Sequence, residues 1–68
     1  MTVCMVHAKI KELTNRNVVV NTNVLATELG TNTDIVNEYI MALQILELVR
    51  LTAGNDICLT NAGTFMQV

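Results

Sequence analysis

Residues 22–49, TNVLATELGTNTDIVNEYIMALQILELV, constrain this chain more than any other stretch. Apolar and small residues recur at Leu25, Ala26 and Leu29, stop at Gly30, and resume at Val36, Ile40, Leu43, Leu46 and Leu48. Steps of three and four put such residues on one side of a helix, so the pattern predicts two helices joined by a sharp corner. Gly30 stands where the first must end, in a left-handed conformation that suits glycine. Thr31, Asn32, Thr33 and Asp34 supply the corner and a cap, with Asp34 near the positive end of the second helix. That helix is expected to run from Thr33 to about Glu47 and to bury Ile35, Val36, Tyr39, Ile40, Leu43 and Leu46. Met41, Ala42 and Ile45 fall on its flanks, which makes it apolar over more than half its circumference.

Upstream, Val3, Val6, Ile10 and Leu13 form one stripe of a first helix over residues 2–15, with Lys9, Lys11 and Glu12 off the stripe and facing solvent. Thr14, Asn15, Arg16 and Asn17 break it, because Thr and Asn compete for backbone hydrogen bonds. Val18, Val19 and Val20 suit a brief strand. Asn21 or Thr22 then caps the helix that ends at Leu29. Downstream, VRLTAGNDICLTNAGTFMQV reads as a hairpin with strands at 49–52 and 57–60, followed by a last helical turn. A two-residue loop at Gly54 and Asn55 would set Leu51 opposite Cys58 and mix the faces. A three-residue loop of Gly54, Asn55 and Asp56 sets Ala53 opposite Ile57 and Leu51 opposite Leu59. It leaves Arg50, Thr52, Cys58 and Thr60 outward and is the expected arrangement. Thr60 or Asn61 caps the terminal turn, with Phe65 folding back onto the core.

A chain of 68 residues makes one domain, 1–68. A domain this small buries only about 60% of the surface its unfolded chain exposes. Hydrophobic residues are 51% of the chain and charged residues 15%, against roughly 25% charged in average proteins. The apolar surplus exceeds what a small interior can hold, which predicts a partner subunit and hence a homodimer. A net charge of -2 argues against a general binder of nucleic acid, whose affinity comes from neutralising phosphates, though not against a sequence-specific dimer. Tyr39 and Phe65 are the only aromatics, too few for a platform that stacks single-stranded bases. No charged head precedes an apolar run at the start, and no window approaches the ~20 apolar residues of a membrane span. Cys4 and Cys58 lie far apart without a C-x-x-C pair, which suits reduced thiols in the cytoplasm. One histidine, no Gly-rich phosphate loop and no nucleophile–base spacing predict that the chain is not an enzyme and takes no cofactor.

Helix, short strand, helix, helix and hairpin is the order of a winged helix. LATELGTNTDIVNEYIMALQILELV resembles the pattern of winged-helix transcriptional regulators: Leu-Ala, Leu-Gly, a polar corner, then a helix ending Leu-x-x-Leu-x-Leu-Val. LTNAG, residues 59–63, is similar to the Leu-Thr-x-x-Gly that closes the wing in many of them. The resemblance covers nearly the whole chain. It implies a mainly α fold with a small β-hairpin, a three-helix bundle plus wing, with the helix-turn-helix over about 22–47 and the wing over about 49–60. Two departures stand out. The family usually has Gly before Leu48, where this chain has Glu47, and the sequence ends soon after Phe65, where many relatives continue into a long dimerisation helix.

The resemblance also implies a function: a dimeric transcriptional regulator that reads the major groove of double-stranded DNA with helix 33–47. Asn32, Thr33, Asp34, Asn37, Glu38 and Met41 would then face DNA. Asn37 could bond adenine bidentately, and a carboxylate can accept from a cytosine amino group. Arg50, at the base of the wing, with Lys9, Lys11 and Arg16, supplies the only candidates for phosphate contacts. The wing tip, Gly54, Asn55 and Asp56, offers an aspartate where wings that enter the minor groove offer Arg or Lys. Asp34 can equally be a helix cap and Glu38 a solvated charge. The alternative is a protein–protein interaction module that kept the scaffold and lost the basic face, using exposed Met41 and Ile45. Cys4 and His7, three apart on a helix, could share a metal with Cys58, but no fourth ligand suggests itself and no metal is expected.

Overall fold

The computed structural model describes residues 1–65; positions 66–68 of the expected domain 1–68 lie outside the described residues. The fold is mainly helical with one small antiparallel hairpin. Its elements are α1 (Val3–Asn15), α2 (Thr22–Leu29), α3 (Thr33–Ile45), β1 (Val49–Leu51), β2 (Ile57–Leu59) and α4 (Asn61–Phe65). Among the described residues no helix is long and apolar enough to cross a membrane.

Side chains open the three long helices. Thr2 Oγ1 accepts from the Met5 N–H at 3.2 Å, Asn21 Oδ1 from Val24 at 2.9 Å, and Asn32 Oδ1 from Ile35 at 3.0 Å. Each cap satisfies a backbone donor that the first helical turn leaves without a partner. The three helices also close alike. The carbonyls of Leu13, Ala26 and Leu43 accept from the N–H groups of Val18, Thr31 and Leu48, five residues on, at 3.0, 2.9 and 2.9 Å. Inside each closure a second bond runs to Thr14, Thr27 or Gln44 from the residue three on. That residue must take a left-handed backbone: Asn17 at φ 59°, Gly30 at φ 68° and Glu47 at φ 59°.

The closure at Glu47 corrects the expected extent of the third helix, which stops at Ile45 and not near residue 47. A glutamate gives no stop signal by itself, although the glycine usual at this position in the pattern that residues 25–49 resemble suits the same left-handed turn. Val36, Ile40 and Leu43 form the buried row of α3. At about 100° per residue, Ile35 and Leu46 sit roughly a quarter turn off that row. Both are exposed, Leu46 at 53%, against the expectation that they would be buried. Val6, Ile10 and Leu13 of α1 and Leu25 and Ala26 of α2 meet that row, and Val20, Leu48, Val49 and Ile57 close the core.

Val18, Val19 and Val20 do not form a strand. The Val18 N–H is spent closing α1 and Asn21 already caps α2, so too little extended chain remains for a ladder. One bond survives, from the Ile57 N–H to the Val20 carbonyl at 2.7 Å. The hairpin pairs Val49 with Leu59, Arg50 with Cys58 and Leu51 with Ile57, a shift of two from the expected register. The loop has three residues, as expected, but they are Ala53, Gly54 and Asn55. Thr52 and Asp56 close it: the Thr52 N–H donates to the Asp56 carbonyl at 2.9 Å, and the Asp56 N–H to Thr52 Oγ1 at 3.1 Å. Asn55 takes the positive φ, a conformation asparagine tolerates. Asp56 is therefore half-buried beneath the loop and not at its tip. A shift of two preserves side-chain parity, so Val49 and Ile57 stay inward and Arg50 outward as expected, but Leu51, expected inward, is 41% exposed.

Residues 59–63, LTNAG, lock the hairpin to the end of α3. Thr60 Oγ1 donates to the Glu47 carbonyl at 2.6 Å and accepts from the Gly63 N–H at 3.0 Å, while the Thr60 N–H donates to the Leu48 carbonyl at 3.1 Å. Gly63 lies so close to the Leu48 backbone that any Cβ would overlap its carbonyl. Phe65 does not fold onto the core; it is 84% exposed. Gly63 faces inward, and two residues further on α4 has turned about 200°.

Two substitutions test these closures by urea unfolding. Glu47→Gly removes the left-handed cost of a residue with a Cβ, and is expected to stabilise the fold by about 0.5–1 kcal/mol after the added freedom of the unfolded chain. Gly63→Ala forces α4 off Leu48, and is expected to destabilise by about 3 kcal/mol.

Candidate interaction face on the third helix

Asp34, Glu38, Met41 and Ile45 follow one another at steps of four, three and four, and all are exposed. On a helix that spacing is a single row, and it lies opposite the buried row of Val36, Ile40 and Leu43. The two carboxylates occupy the N-terminal half and the two apolar side chains the C-terminal half, along about 16 Å. Met41 is 62% and Ile45 81% exposed. Leu46, at the C-cap, widens the apolar end.

The other residues expected to face DNA scatter around this row. Asn37 is exposed, a quarter turn to one side. Asn32 is exposed too, but its Oδ1 is committed to the Ile35 N–H, and Thr33 is half-buried. Asp34 lies in the first turn of α3, where its charge favours the helix.

The basic residues lie on other elements than the row, and one of them, Arg50, lines a surface hollow with Gln44 and Leu46 at the end of α3. Neither α2 nor α3 contains Lys or Arg, and their charged side chains are Glu28, Asp34 and Glu38. Lys9 and Lys11 lie two apart on α1 and so point to opposite sides of it. Lys9 Nζ sits 2.7 Å from Glu12 Oε2, and Arg16 Nη1 3.8 Å from Glu12 Oε1. The hydrogen bond from Lys9, then its charge, and to a lesser degree the charge of Arg16, hold the Glu12 carboxyl below its ordinary range. Glu12 therefore stays ionised and offsets the positive charge of α1. Arg50 projects from β1 on the face it shares with Cys58.

His7, weighed with Cys4 and Cys58 as a metal ligand and not expected to be one, makes a buried hydrogen bond to the backbone. It is 2% exposed, and its Nε2 lies 2.7 Å from the Gly63 carbonyl. A carbonyl only accepts, so Nε2 carries the proton and donates. Cys4 is exposed on α1 and Cys58 half-buried on β2. Among the described residues no three His, Cys, Asp or Glu side chains are placed to hold a metal ion. The glycine of LTNAG was the available signal for the role of His7, since a backbone forced that close leaves its carbonyl in need of a donor.

No protein-family model matches the chain, and no curated protein matches it either. The two faces of α3 can be told apart by adjacent substitutions. Ile40→Ala opens a cavity in the core and is expected to cost about 2–5 kcal/mol in denaturant unfolding. Met41→Glu, one residue along, is expected to leave stability within about 0.5 kcal/mol of wild type.

Proposed function

We propose that this chain is a winged-helix module that docks another protein through the outer row of α3. The scaffold part of this reading is supported by the element order, by the capped corner between α2 and α3 at Gly30, and by the antiparallel hairpin that follows α3. The LTNAG segment locked onto Leu48 supports it as well. The observation that carries the docking part is the outer row itself: Asp34, Glu38, Met41 and Ile45, on two helices that contain no base. A polyanion is repelled by the first pair and gains little from the second. A protein surface can bury exposed apolar side chains and pair with carboxylates. Free thiols at Cys4 and Cys58 suit work in the cytoplasm.

Sequence-specific DNA binding is the second reading, favoured by the exposed Asn32 and Asn37 at the start of α3 and by Arg50 at the base of the hairpin. Fluorescence anisotropy with random-sequence duplexes at about 50 mM salt separates the two. The docking reading expects no complex tighter than about 10⁻⁴ M, the weak end of non-specific binding. A tighter, salt-sensitive complex that both Asn37→Ala and Arg50→Ala weaken would overturn it in favour of DNA.

A further inference from the structure

We infer that the occupant of the α3 row is a basic amphipathic helix of another protein, apolar at one end and rich in Lys or Arg at the other. The inference rests on the docking reading and adds the chemistry of the partner. The row is polar along its length: Asp34 and Glu38 at one end, Met41 and Ile45 at the other, with Leu46 beside them. Its complement must bury apolar side chains against the second half while setting cations against the first. Those cations do not come from the two helices of the corner, because α2 and α3 hold only Glu28, Asp34 and Glu38 as charged residues.

A second copy of α3 answers both halves of the row in neither orientation. Antiparallel pairing about a twofold sets Glu38 against Met41 and Asp34 against Ile45, which strips carboxylates of water without giving them partners. Parallel pairing sets Asp34 against Asp34 and Glu38 against Glu38, four carboxylates together. A helix bearing two leucines and, one to two turns away, two lysines meets both halves at once. Apolar anchors at helical spacing on such a partner are a recurring mode of peptide recognition.

Two synthetic helical peptides test this: one with a leucine end and a lysine end, the other identical but with glutamate for lysine. Binding to the full chain is followed by fluorescence anisotropy at low and high salt. The lysine peptide is expected to bind the wild type in a salt-sensitive manner and the glutamate peptide to bind at least tenfold more weakly. Glu38→Lys, an exposed substitution, is expected to weaken the lysine peptide by about tenfold and to improve the glutamate peptide, as a like-charge contact replaces an attractive one. Met41→Glu is expected to abolish both complexes with the far-UV circular dichroism unchanged. Failure of the lysine peptide to bind overturns the inference. Equal binding of both peptides, lost in Met41→Glu, overturns the inference and leaves docking through α3 standing. If neither peptide binds and duplex DNA does, the docking reading falls with it.

Discussion

The fold depends on one close approach of backbone to backbone, that of Gly63 to Leu48. Leu48 is the first residue past the α3 closure: its N–H satisfies Leu43 and its carbonyl accepts from Thr60. Thr60 holds the neighbouring Glu47 carbonyl with the same hydroxyl that caps α4. His7, from the opposite end of the chain, binds the Gly63 carbonyl from within the core. Polar groups that burial would leave wanting thus satisfy one another, with His7 the one large side chain spent on the joint. That economy suits a domain whose interior is small.

Apolar spacing and caps made most of this architecture legible in the sequence. The stripes of α1 and α3, the caps at Asn21 and Asn32, and Gly30 as a helix stop all act through local chemistry, and local chemistry is what a sequence displays. The errors fall where single hydrogen bonds, local or distant, decide between arrangements that the residue types allow equally. A glutamate in the left-handed position ended α3, and only the glycine usual there in the resembled pattern hinted at it. The hairpin register followed from the Thr52 hydroxyl replacing a backbone acceptor. His7 on an α-helix looks the same whether it binds a metal or a distant carbonyl.

The candidate face was legible in content but not in arrangement. Acidic residues and exposed apolar ones could be read from α3, and their conflict with DNA binding with them. The row emerges once the core side is fixed by Val36, Ile40 and Leu43, because the residues opposite are then determined by geometry alone. With both its core row and half its outer row apolar, α3 has two hydrophobic sides, separated along one flank by Asn37 and Gln44 and joined along the other by Ile35, Tyr39, Ala42 and Leu46.

Asn17, Gly30 and Glu47 occupy equivalent posts, and they are unequal in how readily they hold them. Glu47 holds its post at the cost a residue with a Cβ meets there, which lowers the threshold for local opening at the C-terminal end of α3. That segment also carries Ile45 and Leu46, the apolar end of the outer row. A partner seated there would suppress the fraying of the very turn it rests on, so part of its binding energy would appear as slower amide exchange near Leu48. In the proposed complex, recognition and local unfolding would meet at one residue, Glu47, whose left-handed backbone closes the helix.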